Sequence, residues 1–178
     1  IFGLINRSDK LKSQLCMSIQ EYILTSIDHK TIDPQLLPTA MEILVCAVTH
    51  HQENRTFFIK NTPKEKISAV FDLSKSTGNI MVQIFCAEFL WRIAIPMRMS
   101  QDEKAKIFGK YATSLYSITA SSFRQGIFNF INEINEDRQD VNRIIQIPIK
   151  NVIIGNCSID GKHNLYLGID SIVLCISN

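Results

Sequence analysis

Along most of this chain the apolar residues recur at helical spacing, and near Asp137–Val141 the period shortens to that of a strand. A first helix is predicted from Ser8, a good N-cap, to about Ile27, because Leu11, Leu15, Ile19, Ile23 and Ile27 form one stripe. After a polar break at Asp28–Asp33, Asp33-Pro34 reads as a cap followed by proline at the first helical position. That second helix runs to about His50, burying Ala40, Met41, Leu44, Val45 and Val48, with Pro38 near its first turn. His51–Asn61 reads as a connection anchored by Phe57-Phe58-Ile59. Thr62-Pro63-Lys64-Glu65 has the form of a capping box, and the following helix carries Ile67, Val70, Phe71 and Ser74 on one side.

Helix Asn79–Ile95 is apolar almost all round, which predicts a central helix covered on several sides. Gln83 and Arg92 fall on opposite sides of it, Glu88 and Arg92 make an i,i+4 pair, and Trp91 is read as a core residue. Pro96 stops it. Ser100-Gln101-Asp102-Glu103 is a second capping box opening a short helix to about Lys110. After Tyr111–Ala120, read as a further short turn of helix, an amphipathic helix starts at Ser121/Ser122 with Phe123, Ile127, Phe130, Ile131 and Ile134 inward. From there β-branched runs take over: Ile144–Ile149, Val152–Ile154, Leu165–Leu167 and Ile172–Ile176, with a tight turn expected at Asp160-Gly161 and another near Gly168 and Asp170. So small a sheet needs a partner surface.

The fold class expected is therefore mainly α: an armadillo-like, irregular helical solenoid over residues 1–140, followed by a β-rich segment over 141–178 that begins a second domain or packs on the helices. No clean repeat near 40 residues, the length of such units, stands out, so any repeat is degenerate. The opening Ile1-Phe2-Gly3 and the closing Ser177-Asn178 read as cuts through something longer.

Composition changes this picture little. The apolar fraction of 46% and charged fraction of 20% are globular values, and a formal net charge of +2 gives no bulk attraction to nucleic acid. Five separated cysteines without a C-x-x-C motif suit a reducing compartment, and Cys16, Cys46 and Cys86 sit in apolar helical runs as small buried hydrophobes. The sequons at Asn54 and Asn156 are read as chance. Ile80–Met97, interrupted by Gln83, Glu88 and Arg92, is a core helix rather than a bilayer span.

Chemistry-bearing residues do not assemble into a catalytic pattern. His50 and His51 are adjacent and diverge by about 100° on a helix, so they do not form an i,i+4 metal pair. They read as helix-end or turn residues, as does His29. Cys157 and His163 lack a second ligand pair, and His163 reads as a hairpin-loop residue. No phosphate-cradling glycine motif and no nucleophile elbow occurs. The acids Glu133, Glu136, Asp137 and Asp140 read as a solvated helix end. The expectation is a non-enzymatic chain with no cofactor, metal or small-molecule substrate. One grouping, Arg98, Lys104, Lys106, Lys110 and Arg124, forms a modest basic patch if its members share a face; such a patch meets phosphate or an acidic partner.

The run Met81-Val82-Gln83-Ile84-Phe85-Cys86-Ala87-Glu88-Phe89-Leu90-Trp91-Arg92, the helix start Ser100–Lys106, the helix Ser122–Asn132 and Asp137-Arg138 leading into β structure follow one another in an order that resembles the N-terminal region of the synaptonemal complex protein 2 family. These are axial-element proteins of meiotic chromosomes. The likeness is one of pattern over about 100 residues, with few identities, and its most specific element is the Glu88-to-Arg92 helix followed by the long amphipathic one. It implies an armadillo-like domain followed by a pleckstrin-homology-type β domain, a nuclear location on chromosomes with cytoplasm as the fallback, and a scaffold that recruits chromatin- or centromere-associated proteins. The family carries no catalytic residues. The alternative is a helical module touching nucleic acid through the Arg98–Arg124 patch.

Overall fold

In the computed structural model, which describes residues 8–49, 51–154 and 157–176, helices are followed by a small three-stranded antiparallel sheet. Within these, the side chains of residues 9, 11, 12, 15–19 and 154 lie outside the description. The readings made of Cys16, His50 and Asn156, and of the stripe positions Leu11, Leu15 and Ile19, fall outside the described residues. The helices are α1 (Asp9–Asp28), α2 (Leu37–Val48), α3 (Gln52–Asn61), α4 (Lys64–Ser76), α5 (Ile80–Ala94), α6 (Gln101–Phe108), α7 (Ala112–Ser117) and α8 (Phe123–Glu136), with a 3-10 turn at Gly109–Tyr111.

The all-round apolar sequence of α5 puts it at the centre. Ile80, Val82, Cys86, Ala87, Phe89, Leu90, Ile93 and Ala94 are buried, and α5 touches α2, α3, α4, α7 and α8. Aromatic edges lock its neighbours together: Phe58 of α3 meets Phe89 with ring centroids 5.7 Å apart, and Phe71 of α4 meets Phe108 at 5.3 Å and Tyr111 at 5.8 Å. Trp91 is half-buried rather than fully so, and its indole N–H donates to the Ile118 carbonyl at 3.0 Å. Gln83, which interrupts the apolar run, is fully buried. Its amide donates to the Ser74 carbonyl at 2.8 Å and exchanges bonds with the Asn135 amide, tying α4, α5 and α8.

Several helix ends differ from expectation. Asp33 does not cap α2: its carboxylate accepts the Gln35 N–H at 2.8 Å in a turn, and the helix begins at Leu37 with Pro38 in its first turn. His51–Asn61 is mostly helix, α3, because the His51 ring accepts the Asn54 N–H at 3.1 Å and so acts as an N-cap. The capping box expected at Thr62 does not form. The Thr62 hydroxyl instead accepts from the Gln20 amide at 2.9 Å, and α4 starts behind Pro63. The box at Ser100 does form, with bonds of 3.2 and 2.8 Å between Ser100 and Glu103. The C-terminal end of α4 is closed by the buried guanidinium of Arg138, which donates to the carbonyls of Thr77 at 2.6 Å and Ser76 at 3.2 Å while pairing with Asp140 at 2.7 Å.

The sheet has the order β1-β2-β3, with β1 (Ile145–Ile154), β2 (Cys157–Leu167) and β3 (Ile172–Cys175). Ile147 pairs with Leu165, and Tyr166 with Val173. Asp160-Gly161 is not a turn. The register shifts by one between Ile149 and Asn151, so Gly161 and Lys162 together face Lys150, and Gly161 takes a φ of 137° at this bulge. His163 is accordingly a buried strand residue, not a loop residue. One face of the sheet rests on α8, where Tyr166 stacks on Phe128 with ring centroids 4.9 Å apart. The β2–β3 turn sits on the start of α5: Ile169 N–H donates to the Gly78 carbonyl at 3.0 Å, and the Asn79 amide donates to Asp170 at 3.0 Å.

Candidate interaction surfaces

One concavity lies where the α1–α2 connection passes over α4. At the end of α1 the chain turns through Lys30, whose φ of 54° is left-handed, and closes with Thr31 N–H on the Ser26 carbonyl at 2.9 Å. This loop brings Ile27, Ile32, Pro34 and Leu37 opposite Ala69 and Leu73 of α4, leaving a cleft of about 670 Å³. Its rim carries Asp28, Lys30, Glu65, Ser68, Asp72 and Ser76. Two rim acids are anchored: Lys66 bridges Thr25 at 3.1 Å and Asp28 at 3.3 Å, and Lys75 holds Asp72 at 2.6 Å. A cleft of this size with an apolar floor and polar rim suits an inserted side chain or short segment of a partner.

Sequence reasoning missed this cleft. A signal was present: α4 carries Ala69 and Leu73 beside its core row Ile67, Val70, Phe71 and Ser74, so its apolar arc is wider than one buried stripe.

The five basic residues singled out from the sequence lie in the α5–α6 link, on α6, in the 3-10 turn after it and at the start of α8. Arg98 is exposed in the α5–α6 link with a φ of 50°. On α6, Lys104 lies over the Tyr116 ring at 4.3 Å, while exposed Lys106, two positions on, is rotated about 200° from it. Lys110 pairs with Asp137 at 2.6 Å. That contact, with a 2.6 Å bond from the Tyr111 hydroxyl, holds the Asp137 carboxyl below its usual range, while burial and then Asp137 push Tyr111 up to about 12. Arg124 sits at the other end of α8 from Asp137, about 20 Å away at the rise of an α-helix. Lys110 is thus charge-compensated, and Arg124 lies on the surface at the far end of α8.

That surface is a smaller cleft of about 390 Å³ between α5 and α8, lined by Ile84, Glu88, Phe123, Arg124, Ile127 and Phe128. Glu88 is occupied: its Oε1 accepts from Arg92 Nε at 3.1 Å and from Nη2, and the guanidinium lies 5.2 Å from the Phe123 ring centroid.

Several of the remaining candidates have structural partners. His51 caps α3, and Asp140 is held below the usual carboxylate range by Arg138. Cys46 and Cys86 are buried, and burial pushes the Cys86 thiol up. Among the described residues, no three His, Cys, Asp or Glu side chains gather as metal ligands would, and no helix is long and apolar enough to cross a membrane. Compared with family models, curated proteins and solved structures, the chain has no match.

Proposed function

We propose that this chain is a non-enzymatic protein-interaction scaffold in which helices packed around α5, in an armadillo-like solenoid arrangement, present the α1–α2/α4 cleft to a protein partner. The observation that carries the reading is that cleft: about 670 Å³, with Ile27, Ile32, Leu37, Ala69 and Leu73 beneath a charged rim. A few apolar anchors in such a groove supply most of the affinity of a protein contact, and a polar rim supplies register. The resemblance of the Met81–Arg92 helix and its successors to the synaptonemal complex protein 2 family supports a more specific form of the proposal. In it the chain acts in the nucleus, on the meiotic chromosome axis, and recruits chromatin- or centromere-associated proteins. The β segment is then the start of a pleckstrin-homology-type domain.

The test is a pull-down from nuclear extract of meiotic cells, with and without nuclease, using the chain and its Ala69→Glu variant as baits. The proposal expects protein partners that survive nuclease and are lost with Ala69→Glu, which places a carboxylate on the apolar floor. Recovery of nucleic acid alone, released by salt, contradicts it and favours direct phosphate contact by the basic residues.

A further inference from the structure

We propose that the cleft between α5 and α8 is a second docking site, for an acidic-aliphatic segment of a protein partner, one carboxylate of which pairs with Arg124. The inference rests on the reading of the chain as an interaction module and names the chemistry of one ligand.

Charge complementarity selects the occupant. Of the charged groups at this cleft, Glu88 and Arg92 satisfy each other at positions whose side chains are only 19% and 13% exposed. Arg124 is exposed and forms no ion pair with any described residue, so the cleft carries one uncompensated positive charge. The walls beside it, Ile84, Ile127 and Phe128, are apolar and only partly or fully buried. A ligand that fits both features pairs an aliphatic side chain with a carboxylate. A cationic segment meets Arg124 unfavourably and finds the Glu88 carboxylate already engaged.

An arginine–carboxylate pair fixes the register of the segment in the cleft.

The experiment is selection of short peptides from a randomised display library on the whole chain, with Arg124→Glu and Arg124→Gln as comparison baits and Asp72→Lys as a control in the larger cleft. Arg124 is exposed, so thermal melts of its variants should overlay that of the parent. The expected outcome is enrichment of peptides with Asp or Glu next to an aliphatic residue. Their affinity should fall about tenfold with Arg124→Gln, further with Arg124→Glu, and be unchanged by Asp72→Lys. Selection of peptides without an acidic preference, equal binding to Arg124→Glu, or recovery of no peptide overturns the proposal. Peptides that lose binding only with Asp72→Lys overturn it too, while leaving the interaction-module reading intact.

Discussion

A handful of buried polar side chains fix how the helices meet. Gln83 and Asn135 exchange bonds at 2.8 and 3.2 Å, and Asn135 Oδ1 also accepts the Ile144 N–H at 3.4 Å, so one pair joins α4, α5, α8 and the entry to β1. Replacing Gln83 by Leu removes its two bonds with Asn135 and the Ser74 bond in a site closed to water, while Asn135 keeps Ile131 and Ile144. It should cost about 1–3 kcal/mol for each group left unsatisfied, read from chemical denaturation. Two titrations carry signs that can be checked. Asp140, paired with Arg138, has a depressed folded pKa, so its contribution is present above about 3.9 and fades as pH falls through the folded value. Asp140→Asn should therefore be less stable at neutral pH and lose less on acidification. Tyr111 is the reverse case: it is raised to about 12, so its contribution is present below about 10 and is lost as pH rises between the two. Tyr111→Phe should flatten that alkaline limb. None of the three contacts is legible from the chain itself, because Gln83 read only as a break in an apolar run and Asp137 and Asp140 as part of a solvated helix end. Their burial is decided by elements far away in sequence.

At the scale of elements, the strongly periodic segments were legible and the weakly patterned ones were not. The stripe of α8, the all-round apolar α5 and the Ser100 box appear as the residues predict, because each signal is local. The α3 helix escaped notice since only Asn54 and Phe58 of its ten residues are buried, and its cap is an imidazole rather than a hydroxyl or carboxylate. The failed box at Thr62 shows a tertiary bond, from Gln20, taking the hydroxyl that local chemistry assigned to a cap. The join of sheet to helices depends on small residues. A Cβ on Gly168 would lie 2.5 Å from the Gly78 carbonyl oxygen, a rigid backbone atom. Gly168→Ala should undock the β2–β3 turn from α5, lowering the thermal midpoint. It should also raise amide exchange in β3 while α4 and α5 keep their protection.

For the whole molecule, the picture is a helical unit with α5 at its centre, a sheet on one side and two clefts at separate places. The larger lies under the α1–α2 connection, and the smaller presents Arg124. Of the five basic residues proposed from sequence, Lys110 is paired with Asp137 and Arg124 lines the smaller cleft. The clefts were not legible because each is built from residues of two or three elements, none carrying a motif. The most direct test of the account is amide hydrogen exchange on this chain, alone and saturated with a partner recovered by pull-down. The account predicts slowed exchange in Asp28–Leu37 and in Glu65–Ser76, the two walls of the larger cleft. Protection confined to α6 around Lys104 and Lys106, or no protection in either wall, would contradict it.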